Sequence, residues 1–290
     1  MKNISLDLSN KIDVGIVELL SDLNKIAVRS DVPFFVIGAT ARDIILEQGF
    51  GISTRRKTQD VDLAVMVKDW KAFEMVKKEL LSTGRFIEEG KATHSFRYRK
   101  SLRVDVIPFG GVESPKGTIT WPPDREIKMN VMGFKEAFDH SLIVRMAPKL
   151  DIRFISLPGL AIVKLIAWSE RSGEAAGKDA ADLALLLKNY ADAGNKDRLY
   201  EEHRDLLEAE GHDHDRAGAR LLGQDMSRMM SKQTRTKVLG ILSNNADIEK
   251  KDGLIIALSR PLGMDKYEEA QMLLECLKRG IEEVVSTDKV

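Results

Sequence analysis

The feature that most constrains the fold is a change of pattern at Pro158. Before this proline, short apolar runs alternate with helical spacing, which is typical of a mixed sheet with helices packed on it. After it, apolar residues recur at spacings of three and four. With 290 residues and 43% hydrophobic content, the chain can bury a core in each part. We therefore expect an α/β (α+β) fold, with a mixed-sheet domain over residues 1–156 and a helical domain over residues 157–290.

The front part divides into individual elements. Apolar spacing predicts helices over 12–28, 41–47, 69–81 and 134–138. Apolar runs and alternations predict strands over 33–37, 60–67, 93–99, 102–107, 142–146 and 152–155. Lys100-Ser101 separates two of these strands, which predicts an antiparallel pair that ends at Pro108. In the back part, helices are predicted over 160–168, 179–190 and 217–230.

Three aspartates lie in apolar strand patterns. In the segment DVDLAV, a period of two puts Asp60 and Asp62 on one face of a strand. In RVDVI the valines on both sides of Asp105 are expected to face the core, so Asp105 points to the opposite face of what is expected to be a neighbouring strand. Two carboxylates so close are costly to ionise without a cation between them, and hard oxygen ligands suit Mg²⁺. An Asp-x-Asp alone also caps a turn or a helix, so the prediction rests on the third aspartate together with the glycine turn that precedes the pair. We expect the three to bind two Mg²⁺ ions, or Mn²⁺ in their place, as nucleotidyl transfer requires.

A glycine turn precedes this pair. Gly38-Ala39-Thr40 lies between a predicted strand and a predicted helix, so backbone N–H groups and the positive helix end can face the phosphates of a nucleotide. The hydroxyl of Thr40 adds a possible donor. The alternative is an ordinary strand-to-helix turn in which Thr40 is the N-cap.

The order of these motifs resembles the nucleotidyltransferase superfamily, which has a polymerase-beta-like fold. Its signature is a Gly-Gly or Gly-Ser turn, an Asp-x-Asp and a later carboxylate, which the segments 38–43, 58–62 and 104–106 match except that Ala39 stands where a second Gly or Ser is usual. The stretch after the turn, with Arg42, also resembles tRNA nucleotidyltransferases and poly(A) polymerases. The resemblance implies nucleotide-binding roles for Gly38, Ala39, Thr40 and Arg42.

The helical part narrows the resemblance. Segments LPGLAIVKL at 157–165 and KDAADL at 178–183 are similar to AbiEii-like nucleotidyltransferase toxins, which are components of type IV toxin–antitoxin systems. In that family the corresponding lysine and aspartate belong to the active site, which implies catalytic roles for Lys164 and Asp179. The resemblance also implies an NTP substrate, which Lys164 would help to bind, and a possible cognate antitoxin as a partner.

The composition of its helix singles out Lys164 as well. It is the only charge between Leu160 and Trp168, in a helix that is apolar on every side and is therefore predicted to be buried. A buried ammonium needs an anionic partner, either an NTP phosphate or a carboxylate, unless the side chain reaches water. Asp179 and Asp182 share a helix face, although acidic residues in a first helical turn also simply favour the helix dipole.

Four further features each have a functional and a plain interpretation. Arg55-Arg56-Lys57 binds triphosphate or RNA, or is a solvated loop. Arg103 pairs with Asp105 or with a phosphate. Trp121 is expected to pack in the core rather than to stack on a base. The segment GHDHD at 211–215 is expected to be a loop with capping aspartates rather than a metal cluster.

Composition limits the partners and the compartment. Acidic and basic side chains balance at 45 each, so contact with nucleic acid must come from a local patch. The lone Cys276 cannot form an internal disulfide and the start of the chain lacks the apolar segment of a signal peptide, so we expect a cytoplasmic protein. No apolar stretch is long enough to predict a membrane span.

The function expected from the sequence is transfer of an NMP from an NTP to an acceptor, with release of pyrophosphate. The resemblance favours a toxin-like enzyme that modifies RNA, such as tRNA, or protein. Two alternatives stay open, namely a small-molecule acceptor such as an aminoglycoside and a catalytically silent nucleotide-binding module. Sequence patterns leave open which NTP is used and how the chain assembles.

Overall fold

The computed structural model describes residues 4–54, 60–90, 94–123, 126–244, 253–263 and 266–287, without the side chains of 285–287. The chain divides into two compact units, Met1–Ser156 and Leu157–Val290. The described strands all lie in the first unit and the described part of the second is helical, which confirms the expected fold class. The basic segment Arg55-Arg56-Lys57 and the predicted strand residue Thr93 lie outside the described residues.

A mixed sheet forms the centre of the first unit. The described strands are β1 Leu6–Asp7, β2 Phe34–Ile37, β3 Asp60–Val67, β4 Phe86–Glu88, β5 Ser95–Tyr98, β6 Leu102–Gly110, β7 Thr118–Thr120, β8 Lys128–Asn130, β9 Leu142–Ala147 and β10 Leu150–Phe154. Among them, eight form one sheet in the order β1-β9-β10-β2-β3-β6-β5-β4, and β7 pairs with β8 as a separate ribbon. In the sheet, β3 runs parallel to β6 and antiparallel to β2. The two strands that carry the aspartates are therefore direct neighbours.

Helices of the first unit begin where the sequence supplies caps or turns. The described ones are α1 Val14–Ser30, α2 Gly38–Asp43, α3 Trp70–Ser82 and α4 Phe134–Asp139, and a π-helical turn, Ile44–Gly49, continues α2. The side chain of Asp13 accepts hydrogen bonds from the Gly15 and Ile16 N–H groups at the start of α1. Asp69 accepts one from Ala72 N–H at the start of α3. Each bond satisfies a backbone donor that the helix leaves unpaired.

One predicted strand end was wrong. Pro108 was expected to end the hairpin strand, but β6 continues to Gly110. The stretch of β6 that pairs with β5 ends at Asp105, opposite Ser95, whereas the parallel pairing with β3 continues past Val65 opposite Pro108. A proline is tolerated there because one side of the strand no longer needs a backbone donor.

The second unit is built on a buried central helix. The described helices are α5 Leu157–Glu170, α6 Gly173–Asn189, α7 Lys196–Glu201, α8 Arg204–Ala209, α9 His214–Met229, α10 Lys232–Asn244, α11 Leu254–Leu262 and α12 Tyr267–Thr287. Between α6 and α7 the chain kinks within Ala191–Asn195, where Ala193 and Gly194 have non-helical backbone angles. Leu160, Leu165 and Ile166 of α5 are buried, as the apolar pattern predicted. No helix in the described ranges is both long enough and apolar enough to cross a membrane.

Candidate active site

The three predicted aspartates lie on one face of β3 and β6. Along β3, Val61 and Leu63 are buried whereas Asp60 is exposed and Asp62 is half-buried. The register pairs the Cα atom of Asp62 with that of Asp105 across two parallel strands. Residues paired in this way have their side chains on the same face. The structure therefore places Asp60, Asp62 and Asp105 on one face of two adjacent strands.

Gly38 fits closely against this face. It has a φ of +71°, and a Cβ atom added to it would lie 2.1 Å from Oδ2 of Asp62 and 2.9 Å from its Cγ. A side chain at position 38 would be strained in its backbone and would displace the Asp62 carboxylate. The absence of a side chain is thus what lets the turn from β2 into α2 lie beside a predicted metal ligand.

The turn differs from both sequence interpretations of Thr40. Its Oγ1 donates a 2.5 Å hydrogen bond to the backbone carbonyl of Asp60, so its proton is used within the protein rather than offered to a phosphate. Thr40 is not the N-cap either, because α2 begins at Gly38 after Ile37, which provides no side-chain cap. The first N–H groups of α2, including that of Ala39, therefore have no side-chain partner at the cap. The hydroxyl of Thr40 instead ties α2 to the start of β3.

Arg42 is a buried residue of α2 that pairs with its neighbour Asp43. Its side chain is 3% exposed, and its Nη2 donates to Oδ1 of Asp43 at 2.5 Å. Burial raises the pKa of Asp43, and the hydrogen bond and charge of Arg42 only partly offset this effect. In the structure the guanidinium of Arg42 is therefore buried beside the carboxylate of Asp43. The predicted contact of Arg42 with a nucleotide stays a prediction.

Asp105 contacts two polar side chains, of which the sequence predicted Arg103 but not Ser95. Ser95 on β5 donates a 2.6 Å hydrogen bond from Oγ to Oδ1 of Asp105. Arg103 lies two residues before Asp105, and its Nε and Nη2 are each 3.3 Å from a carboxylate oxygen of Asp105. The predicted pairing of Arg103 with Asp105 is confirmed. Ser95 was missed because only the register between β5 and β6 brings it opposite Asp105.

An aromatic cluster flanks the same region. Trp121 is buried and packs against Trp70 and Phe73, which confirms its expected place in the core. The ring of His94 stacks on that of Trp121 at 4.7 Å. Burial lowers the pKa of His94, although the negative charge of Asp105 opposes the shift. At neutral pH we therefore expect an uncharged imidazole near Asp105.

The donor set of this face fits a hard divalent cation. Three carboxylates provide oxygen ligands, and they lie in register on two adjacent strands. Within the part of the chain that the structure describes, no three acidic, histidine or cysteine side chains are already gathered around one point. One physical reason is visible at Asp105, whose oxygens are engaged by Ser95 and Arg103. The three carboxylates thus lie on one face of two adjacent strands, and that of Asp105 is held by neighbouring protein groups.

A second group of predicted residues lies within the helical unit. Nζ of Lys164 is 2.9 Å from Oδ1 of Asp179 and 2.7 Å from Oδ2 of Asp182. Asp179 also receives Nη1 of Arg171 at 2.9 Å. Burial alone would lower the pKa of Lys164, but the two carboxylates reverse the shift and raise it. The anionic partner that a buried ammonium requires is therefore a pair of carboxylates, and Lys164 and Asp179 are in direct contact.

The segment 211–215 is a helix start rather than a metal cluster. The side chain of Asp213 accepts hydrogen bonds from the N–H groups of Asp215 and Arg216 at the beginning of α9. His214 is in contact with the hydroxyl of Tyr200, with 2.7 Å between Nε2 and the oxygen. Asp215 pairs with Lys188. The expected capping role is confirmed.

Comparison with solved structures finds several matches at low sequence identity. The antibiotic-resistance factor ANT(2'')-Ia matches with 17% identity and a TM-score of 0.38, covering 69% of this chain and 99% of that chain. The CCA-adding enzyme of Thermotoga maritima, solved with tRNA, matches with 13% identity and a TM-score of 0.29, covering 98% of this chain and 85% of that chain. A CCA-adding enzyme in complex with CTP matches with 15% identity and a TM-score of 0.28, covering 97% and 72%. No curated protein matches significantly.

A protein-family model matches a long continuous stretch of the chain. The family model described as "Nucleotidyl transferase AbiEii toxin, Type IV TA system" matches residues 27–247, which is well over half of the chain. The match includes the glycine turn, the three aspartates of the first unit and the Lys164–Asp179 pair of the second. The chain therefore belongs to the AbiEii nucleotidyltransferase family of type IV toxin–antitoxin systems and is a nucleotidyltransferase.

Proposed function

We propose that this nucleotidyltransferase moves an NMP from an NTP to an acceptor hydroxyl with the help of divalent metal ions held by Asp60, Asp62 and Asp105. The observation that supports this most directly is the register that sets Asp62 opposite Asp105 on adjacent parallel strands, with Asp60 two residues away on the same face. Three carboxylates in such an array form a negatively charged surface that attracts Mg²⁺ or Mn²⁺.

The reaction makes one bond and breaks another. The acceptor oxygen bonds to the α-phosphorus of the NTP, the bond from that phosphorus to the bridging oxygen breaks, and pyrophosphate leaves. Two bound Mg²⁺ ions would supply positive charge to the attacking and leaving oxygens. In our proposal Asp60 and Asp62 hold both ions, and Asp105 holds one ion and helps to activate the acceptor hydroxyl. The N–H groups at the Gly38 turn would bind phosphate oxygens, since no side chain caps them.

We further propose that residues 1–156 form the catalytic nucleotidyltransferase domain and residues 157–290 a helical domain that contributes to substrate binding. Lys164 and Asp179 lie in the helical domain, where Lys164 would contribute positive charge to the triphosphate. Its side chain is only 14% exposed and its ammonium is held by two carboxylates, so its orientation is fixed before any substrate binds. We assign Asp179 to holding Lys164, because their atoms are in contact.

The acceptor we favour is RNA, with tRNA as the leading case, and protein as the second. Membership of a family described as type IV toxins supports a cellular target and a cognate antitoxin. Acidic and basic residues balance over the whole chain, so recognition of RNA would depend on local basic groups. A small-molecule acceptor such as an aminoglycoside would instead make the enzyme a modifier of small molecules rather than a toxin.

Release of pyrophosphate by the purified protein tests the proposed chemistry. We expect release in the presence of Mg²⁺, the correct NTP and total tRNA, and a loss of at least about a hundredfold in Asp62→Ala, because a metal ligand is removed. Asp139→Ala is a matched control, since that carboxylate pairs with Lys135 on a surface helix. Equal rates in wild type and Asp62→Ala would contradict the proposal.

Label transfer identifies the acceptor. Each of the four NTPs, labelled at the α-phosphate, is incubated with pools of tRNA, protein and aminoglycosides. Label in tRNA that depends on Asp62 is the expected result. Label in aminoglycoside alone would overturn the toxin role while leaving nucleotidyl transfer intact.

A further inference from the structure

A basic side chain lies among the acidic groups of the candidate active site. The register of β3 and β6 pairs Asp60 with Arg103 and Asp62 with Asp105, so these four side chains form a two-by-two array on one face of the sheet. Three carboxylates and one guanidinium give this array a net charge of −2. A single divalent cation would neutralise it.

Arg103 occupies the carboxylate that a metal would need. Its Nε is 3.3 Å from Oδ1 of Asp105, its Nη2 is 3.3 Å from Oδ2, and Nη2 is also 3.4 Å from Oγ of Ser95. Charge-assisted hydrogen bonds are usually shorter, at about 2.7–2.9 Å. The side chain of Arg103 is 42% exposed, so solvent can replace these contacts. The guanidinium is therefore held loosely against both oxygens of Asp105.

Ser95 holds Asp105 more firmly than Arg103 does. Its hydroxyl is buried and donates at 2.6 Å to Oδ1 of Asp105. If Arg103 moved away, Asp105 would keep this bond and its Oδ2 would become available on the face that Asp62 shares. The carboxylate would thus keep its place when its counter-ion changed.

From this geometry, and resting on the proposed function above, we propose that Arg103 is an exchangeable counter-ion. It neutralises Asp105 until a divalent cation takes its place, and it then binds the phosphates of the NTP. The planar fork of an arginine matches phosphate oxygens as well as it matches a carboxylate. An arginine side chain stays protonated in proteins, so the group keeps its charge throughout. Once a divalent cation has replaced Arg103 at Asp105, the positive guanidinium needs another anionic partner. The triphosphate that binds together with the cation provides one.

Arg97 provides a matched control. It lies on β5 directly opposite Arg103 in the register, but it pairs with Glu89 and with the carbonyl of Ser101 rather than with Asp105. Replacing Arg97 by alanine removes a positive charge on the strand next to the one that carries Arg103 and Asp105. It leaves the contacts of Asp105 unchanged.

The test measures two binding constants on the full chain. Binding of Mn²⁺ alone is followed by the loss of the free Mn²⁺ signal in electron paramagnetic resonance. Binding of α,β-methylene analogues of the four NTPs, which cannot transfer their nucleotide, is followed by calorimetry at saturating Mn²⁺. The variants are Arg103→Ala, Arg103→Lys, Arg97→Ala and Asp62→Ala, each checked for folding by circular dichroism.

We expect Arg103→Ala to bind Mn²⁺ about fivefold more tightly than the wild type, because a competing cation is gone. The same variant should bind the preferred analogue about tenfold more weakly, because a charged hydrogen-bond donor to phosphate is lost. Arg103→Lys keeps the charge but not the fork, so its Mn²⁺ affinity should stay near that of the wild type while its analogue affinity falls. Arg97→Ala should change neither constant.

Each contrary result has a distinct meaning. Unchanged or weaker Mn²⁺ binding in Arg103→Ala would overturn the counter-ion role. Unchanged binding of the NTP analogue in the same variant would overturn the proposed contact of Arg103 with the phosphates. Equal effects of Arg97→Ala and Arg103→Ala would also overturn the proposal, since they would reflect general electrostatics. If Asp62→Ala bound Mn²⁺ as tightly as the wild type, Asp62 would not be a metal ligand, and the proposed function itself would be contradicted.

Discussion

At the scale of single residues, Gly38 determines where the carboxylate of Asp62 can lie. Replacing it by alanine imposes a positive φ of 71° on a residue with a side chain and puts the new Cβ atom 2.1 Å from Oδ2 of Asp62. We expect Gly38→Ala to lose about 1 kcal/mol of stability from backbone strain and to lose most of its pyrophosphate release, because a metal ligand is displaced. Gly51→Ala is the matched control, since Gly51 has the same φ but open space around its position. Thermal unfolding and pyrophosphate release on both variants separate the two effects.

If both variants kept full activity, the close approach of Gly38 to Asp62 would have no catalytic meaning. If both lost activity equally, strain rather than displacement of the carboxylate would be the cause. The expected result is similar stability loss in both and activity loss in Gly38→Ala alone.

Lys164 allows a structural role to be separated from a catalytic one. Its side chain is only 14% exposed, and its ammonium bridges Asp179 and Asp182. We expect Lys164→Met to cost about 3 kcal/mol of unfolding free energy, because it leaves buried carboxylates without this partner. Lys178→Met, which removes only an exposed pair with Glu174, should cost less than about 0.5 kcal/mol. Urea unfolding measures both.

The variant Lys164→Arg then addresses catalysis. Arginine keeps the positive charge in the same cluster, so most of the stability should return. Loss of pyrophosphate release in a stable Lys164→Arg would support a contact between the lysine and the triphosphate. Full activity would mean that any cation at this position suffices and that the ion pair is structural.

At the scale of elements, sequence patterns predicted the strands with strong alternation and missed the short ones. The alternation in DVDLAV and RVDVI is local, so β3, β6 and the shared face of their aspartates were predictable. The strands β1 and β4 are two and three residues long, and such lengths carry no period. The contact of Ser95 with Asp105 depends on the register of the β5–β6 pair, and that of Thr40 with the Asp60 carbonyl depends on how α2 meets the start of β3. Apolar periodicity alone does not fix these contacts, because turn geometry also sets the register.

Asp225 joins three elements of the helical unit and makes their packing sensitive to acid. It accepts hydrogen bonds from Tyr190, after α6, at 2.6 Å and from Arg198 of α7 at 2.8 and 2.9 Å. Burial alone would raise the pKa of Asp225, but the hydrogen bonds from Arg198 and Tyr190 outweigh it and lower the pKa below the ordinary value of 3.8. The unfolded chain therefore takes up the proton first, so the stabilisation is complete above that value and is lost as pH falls through the folded-state pKa.

We expect Asp225→Asn to be less stable than the wild type by about 2 kcal/mol at pH 7, and the difference to shrink as the pH falls below about 4. Asp192→Asn removes only a half-exposed pair with Lys196 and should change stability little at any pH. Urea unfolding from pH 7 down to pH 3 measures both variants. A difference that grows at low pH would contradict the lowered pKa of Asp225.

At the scale of the whole molecule, several buried charges of the helical unit pair with one another. Among the described residues, clusters of this kind are centred on Lys164 with Asp179 and Asp182, on Asp225 with Tyr190 and Arg198, and on Glu210 with Arg220 and Arg279. Glu210 is also contacted by the thiol of Cys276, whose pKa burial raises to about 12, so this cysteine stays uncharged. None of these contacts requires a residue before Leu157, which is where the unit begins.

We therefore expect residues 157–290, expressed alone, to fold with cooperative thermal unfolding, because the unit has its own core and holds these three charge clusters within it. A shorter piece over residues 196–290 lacks Lys164 and Tyr190, so it would leave Asp225 without one of its buried partners and would lose α5 and α6 from the core. It should be unfolded or only partly ordered. Circular dichroism and calorimetry on the two pieces make the comparison. A disordered 157–290 piece would mean that the helical unit depends on the mixed-sheet unit for its stability, despite the local pairing of its charges.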